Sequence, residues 1–281
     1  MALTKPKTFR KKEIIEIAKY ACKHLEEGQK DIFFDQIEIL LVSKIPFGKL
    51  KPLGEYIGKR GLDNPEIYFN VLDEFFRKEL DYGYREGLYN TARMLMSDEE
   101  VQKSRVWGWR AGIVGLAFNE MSHNNPEEVV NKTREYIILS SHWSSSDTFA
   151  DKTFNRMFEE RFEYILGILK KWAMDENEWI RNTAAFAVHA PVENKILDRE
   201  QFIDSLGILD LVMEDHAKNV QKKAVWTLKV ISKYYPDETY DFMMKWTDKG
   251  NKNTKWILKN SMKYMDEKRR NGLLEKINEV S

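Results

Sequence analysis

Apolar residues return at helical spacing almost everywhere along this chain, and that regularity limits what it can fold into. Ile14, Ile15, Ile17, Ala18, Ala21 and Cys22 make one stripe at i, i+3, i+4 and i+7. Ile37, Leu40 and Leu41 make another, followed by Leu50, Leu53, Tyr56 and Ile57, then by Ile67, Phe69, Val71, Leu72, Phe75 and Phe76. Similar stripes run on to Leu273, Leu274 and Ile277. A helix repeats every 3.6 residues and a strand every 2, so a chain that keeps the first period and lacks the second is read as all-α. Short breaks punctuate the stripes at Ile45-Pro46-Phe47-Gly48, Asp63-Asn64-Pro65-Glu66, Asn124-Asn125-Pro126-Glu127, Ala190-Pro191 and Tyr235-Pro236-Asp237-Glu238. Asn-Pro-Glu and Pro-Asp-Glu put a capping side chain or a proline ahead of acids, which suits a helix N-terminus and its dipole. No long linker, low-complexity tract or charge block divides the chain. The expected organisation is a single helical domain over residues 1–281, with residues 1–43 as N-terminal capping helices.

A weak internal repeat sharpens the expectation. Asn177-Glu178-Trp179-Ile180-Arg181-Asn182-Thr183-Ala184 returns in outline as Lys218-Asn219-Val220-Gln221-Lys222-Lys223-Ala224-Val225, an offset of 41 if Trp179 is set against Val220. A third version, Asn253-Thr254-Lys255-Trp256-Ile257-Leu258-Lys259, follows about one helix pair later. Two helices per ~40 residues is the period of HEAT-type repeats, which stack into an α-α solenoid with a concave inner face. An irregular helical bundle with chance similarity is the alternative.

Composition removes several classes of function. Lys+Arg and Asp+Glu each number 45, so a chain that binds nucleic acid through bulk positive charge is excluded, while a one-sided basic face is not. Cys22 is the only cysteine, so no internal disulfide or cysteine-rich zinc site can form. Residues 1–7 lack the apolar run of a signal peptide and no stretch reaches the ~18 apolar residues of a membrane helix, so a cytoplasmic protein without a membrane partner is expected. There is no phosphate-binding glycine loop and no His-Glu-x-x-His, and His24, His123, His142, His189 and His216 are scattered without ligand spacing. Neither a metal nor an organic cofactor is expected. Cys22 sits on an apolar stripe and reads as core.

Ser140-Ser141-His142-Trp143-Ser144-Ser145-Ser146-Asp147-Thr148-Phe149-Ala150 is unusual for a plain solenoid. Read by itself it is a helix–helix connection, with Asp147 or Ser146 capping the next helix. Taken with Trp179-Ile180-Arg181-Asn182-Thr183-Ala184 and Val220-Gln221-Lys222-Lys223-Ala224-Val225-Trp226, however, it resembles the AlkD-type DNA alkylation repair glycosylases, over roughly residues 40–265. That family is built of HEAT-like repeats and carries, in this order, Trp-x-x-x-Asp, Asn-x-Trp-x-x-Arg and a basic helix with another tryptophan. Ile45-Pro46-Phe47-Gly48 and Leu50-Lys51-Pro52-Leu53 look like its N-terminal entry. The resemblance implies a catalytic Asp147, with Trp143 and Trp226 flanking the backbone of the lesion. The family's arginine position is Asn182 here, and Arg181, one residue earlier, is the substitute on offer. About one extra helix pair is expected between residues 60 and 130, with Tyr84–Met96 and Arg105–Phe118 as the two options.

The implied activity is excision of cationic N3- or N7-alkylated purines from double-stranded DNA by a monomer. A base that is already cationic leaves without a general acid, so one carboxylate beside the developing oxocarbenium ion suffices. Trp143 and Trp226 can face that cation. DNA would lie on a concave face formed by Lys152, Arg156, Arg181, Lys222, Lys223, Lys229, Lys255 and Lys259, with Glu127, Glu128, Glu159, Glu160 and Glu163 sorted to the convex side. Two other readings stand beside this one: a family member that binds DNA structure without excision, and a HEAT-type protein scaffold.

Overall fold

The computed structural model describes residues 9–42, 47–77, 98–249 and 251–279. Among them the regular elements are helices and no strand is present, so the all-α expectation holds. The chain separates into two compact units, residues 1–153 and 154–281.

In the first unit, α1 (Lys11–Glu26) buries Ile14, Ala18, Ala21, Cys22 and Leu25 along one stripe, and α2 (Lys30–Val42) packs beside it. Both fall in the segment expected to cap the N-terminus. In α3 (Lys51–Asp63) the packed face is made by Gly54, Gly58 and Gly61. A Cβ at Gly58 would lie 2.4 Å from the Ala117 carbonyl oxygen and one at Gly54 would lie 2.5 Å from the Leu116 Cβ, so bare backbone is what lets the neighbouring helix approach. Glu26 ties α1 to α3 and α4 (Pro65–Arg77): Arg60 donates to its carboxylate at 2.9 and 2.6 Å and the Tyr68 hydroxyl at 2.8 Å. Hydrogen bonding from Arg60 holds the Glu26 carboxyl below its ordinary range against the opposing effect of burial.

The neighbour of α3 is α5 (Asp98–Met121), buried almost without break from Arg110 to Phe118, as a helix at the centre of a core must be. Two more helices complete the unit, α6 (Pro126–Ser140) and α7 (Trp143–Lys152). Phe76, Phe118, Tyr136 and Phe149, one from each of α4 to α7, form a single aromatic cluster in which the Phe76 and Tyr136 rings stack at 4.3 Å. Burying Phe149 here stabilises the docking of α7 by about 1.5–3 kcal/mol.

The second unit opens with the short α8 (Asn155–Glu160) and α9 (Phe162–Trp172), then α10 (Glu178–Ala187) and a single turn, α11 (His189–Glu193). It continues with α12 (Arg199–Asp210), α13 (Lys218–Ile231), α14 (Pro236–Lys245), α15 (Lys252–Ser261) and α16 (Glu267–Glu279). The second helices of successive pairs, α10, α13 and α15, stack in a row, and α9 packs on α12, which is HEAT-like stacking. The three segments singled out as a repeat open α10, α13 and α15. The register of the first two is 40 rather than 41: the Asp175 carboxylate accepts from the Asn177 amide at 2.9 Å and the Asp215 carboxylate from the Ala217 amide at 2.7 Å. That sets Ile180 against Val220, both fully buried, because one residue of slip turns a helix face by about 100°.

Candidate functional site

α7 starts earlier than the sequence suggests. Its N-cap is His142, in extended backbone geometry, with Nδ1 accepting from the Ser144 amide at 3.2 Å; Ser146 and Asp147 are interior helical residues. Ser144, Ser145 and Ser146 therefore do not form a loop. Ser145 and Ser146 are fully buried, and their hydroxyls donate to the His142 and Trp143 carbonyl oxygens at 2.9 and 3.1 Å. Ser144 lies against Gly108 of α5, and further along the same pair Gly115 faces Thr153. Small residues on both helices let α7 sit close on α5, as glycines do between α3 and α5.

This placement gives Trp143 and Asp147 a common edge, one turn and about 6 Å apart along the axis. The indole is 40% exposed and Asp147 is half-buried. Lys152 is not on that edge. Nine residues beyond Trp143, it lies about 180° round the helix, its Cβ is close to Gly115, and it is ion-paired with Asp151 at 2.5 Å. Arg156, in the other unit, pairs with Glu160 along α8 at 3.1 Å.

Arg181 is held inside the repeat stack. Its side chain is 9% exposed and pairs with the 6% exposed Asp215, with Nε and Nη2 donating at 2.6 and 3.2 Å. Nη1 donates to the carbonyl oxygens of Asp175 and Glu176 at 2.8 and 2.9 Å. The Asp215 hydrogen bonds hold the guanidinium above its ordinary value. All three nitrogens tie α10 to its own entry turn and to the turn before α13, so Arg181 joins repeats. Asn182 is equally enclosed: fully buried, it donates to the Asn219 carbonyl oxygen at 3.3 Å.

The lysines of α13 divide by face. Lys222 and Lys229 flank Trp226, which is 53% exposed, and these three with Val225, Trp256 and Asn260 line a groove between α13 and α15. Lys223 points the other way, its Nζ lying 5.0 Å from the ring centroid of Phe186 on α10. Lys255 and Lys259 lie about 100° round α15 from Trp256 and Asn260, on its other flank. Among the described residues, none of Lys222, Lys229 and Lys259 pairs with a carboxylate. Trp256 is the groove residue that sequence reasoning passed over, although it stands in the third repeat segment with lysines on both sides. Among the described residues no cluster of three metal-ligating side chains occurs, and no helix is long and apolar enough to cross a membrane.

A family model described as DNA alkylation repair enzyme matches residues 111–265, more than half of the chain. The chain belongs to the DNA alkylation repair enzyme family. The match begins inside α5 and takes in residues 111–118 of the Arg105–Phe118 option; Tyr84–Met96 lies outside the described residues. Among solved structures, the chain is similar to the Pseudomonas fluorescens alkylpurine DNA glycosylase AlkC, bound to DNA containing an abasic site analog, at 14% identity and a TM-score of 0.50. The alignment covers 94% of this chain and 65% of that one, and at this identity the likeness shows the all-α fold of the family. No curated protein matches.

Proposed function

We propose that this chain is a DNA glycosylase that hydrolyses the N-glycosidic bond of cationic N3- or N7-alkylated purines in double-stranded DNA, acting as a cytoplasmic monomer. The observation that carries the reading is the edge of α7 where the exposed Trp143 and the half-buried Asp147 stand one turn apart in a member of a DNA alkylation repair family. The solved neighbour is itself an alkylpurine DNA glycosylase bound to DNA, which supports the same substrate class.

In this reaction the C1′–N bond breaks and its electron pair neutralises the charge already on the purine, so no acid is needed to protonate the leaving group. The sugar becomes oxocarbenium-like, water adds at C1′, and the proton of that water passes to solvent. The Asp147 carboxylate stabilises the cation and the Trp143 face packs against it. Trp226, Lys222 and Lys229 hold the DNA backbone without reading sequence. The reaction so written uses neither metal nor cofactor.

A second reading, DNA binding without excision, is favoured by one observation: Asn182 and Arg181 are both engaged inside the repeat stack. The two are separated by incubating the protein with N-methylated duplex DNA, measuring free methylpurine, and following duplex binding as salt is raised. Release of methylpurine supports the glycosylase. Salt-sensitive binding with no release at high protein concentration supports the second reading, and absence of both leaves a protein scaffold.

A further inference from the structure

The groove between α13 and α15 is more strongly patterned than holding duplex phosphates requires. Residues 216–235 contain five lysines and residues 249–264 another five, with no aspartate or glutamate in either segment, in a chain that holds 45 basic and 45 acidic residues overall. Helical rotation gathers Lys218, Lys222, Trp226 and Lys229 within about 80° on α13, and Lys233, just past the C-cap, continues the same stripe. On the opposite bank, Trp256 and Asn260 line the groove, and Tyr264 follows in the 3-10 turn after α15.

Cations and ring faces are interleaved along its length. The Lys218 Nζ sits 3.3 Å from the Trp256 ring centroid and donates to Gln221 Oε1 at 3.1 Å, which fixes the indole from one side. The Lys233 and Lys263 ammonium groups lie 4.1 and 5.0 Å from the centroid of Tyr264, whose side chain is exposed. The groove measures about 270 Å³, below the ~300–1,000 Å³ of pockets that enclose a drug-sized ligand. It is a shallow trough for an extended chain. A duplex offers phosphates but keeps its base faces stacked inside, whereas an unpaired strand offers both. Lysines alternating with aromatic faces match the second pattern, in which the cations follow the backbone and successive bases stack on the rings.

We propose that this groove is a track for an unpaired DNA strand, with phosphates on Lys222, Lys229 and Lys233 and bases on Trp226, Trp256 and Tyr264. The track does not depend on base excision, and the two are tested separately. The probe is fluorescein-labelled oligothymidylate of about 12 nucleotides, titrated with the full-length chain at low and moderate salt. Binding is expected to quench tryptophan fluorescence, to weaken as salt rises, and to be displaced less readily by unlabelled duplex than by unlabelled oligothymidylate at equal phosphate concentration. Trp256→Ala is expected to weaken it roughly tenfold while Trp256→Phe restores most of it, each variant first shown to be helical by circular dichroism.

Several results overturn the track: no oligothymidylate binding, displacement by duplex or polyglutamate as effective as by oligothymidylate itself, or unchanged affinity in Trp256→Ala. Oligothymidylate binding by a chain that releases no methylpurine overturns excision alone. Methylpurine release without oligothymidylate binding overturns the track alone.

Discussion

Arg181 and Asn182 are neighbours in sequence and both are committed to the repeat interface, by an ion pair to Asp215 and a hydrogen bond to the Asn219 carbonyl. Removing one partner of a buried pair strands the other, which costs about 3–5 kcal/mol. Arg181→Ala is therefore expected to lower stability by about 3 kcal/mol in urea denaturation, while the exposed Lys222→Ala stays within about 0.5 kcal/mol. Equal, small losses in both would show that Arg181 is not a strut. Cys22 gives a second test at this scale. Burial pushes its thiol up to about 12, so at pH 8 it is protonated as well as enclosed. An aromatic disulfide reagent is expected to react with it only once the chain is unfolded; rapid reaction with the native chain would contradict the packing. The place of Cys22 could be read from its stripe. The role of Arg181 could not, because its partner lies in the next repeat and spacing along one helix does not show which side chains meet across two.

α7 shows what an element adds to its residues. Its start at His142 brings Trp143 and Asp147 onto one edge, and the expected cap at Ser146 or Asp147 would have unwound that edge altogether. Local rules favoured the later start because Ser and Asp are the stronger caps; the close seat on Gly108 and Gly115 of α5 outweighs them, since it uses the serines as small buried contacts. His142→Ala is expected to cost about 1 kcal/mol and His142→Asp to recover it, measured by thermal or chemical unfolding. No loss in His142→Ala would mean that the cap does not hold α7. The α3–α5 contact is the stricter case. Gly58→Ala forces a Cβ onto the backbone of Ala117, and about 1–3 kcal/mol of destabilisation is expected from such overpacking. A neutral Gly58→Ala would show that the two helices can part freely. The Gly54, Gly58 and Gly61 spacing was visible in the sequence, but glycine leaves no hydrophobic signal, so a search for apolar stripes passes over this close helix contact.

For the molecule as a whole, a net charge of zero conceals strong sorting: the segments around α13 and α15 hold ten lysines and no acid. The all-α class and the ~40-residue period were legible because both are carried by buried apolar positions that must recur. The register of 40 and the separate faces of Lys222 and Lys223 were not, since they follow from which turn each N-cap closes. The same limit applies to Trp143, Asp147 and Trp226, whose order in the chain is readable and whose chemistry is not. The measurement that tests that chemistry most directly is methylpurine release from alkylated duplex DNA by the wild type and by Asp147→Asn, at matched stability and matched DNA occupancy. Losing one preorganised stabilising group of this kind typically slows turnover by ~10²–10³-fold. Release by the wild type with a loss of that order in Asp147→Asn is the predicted result, whereas equal release by the two proteins would remove Asp147 from the reaction.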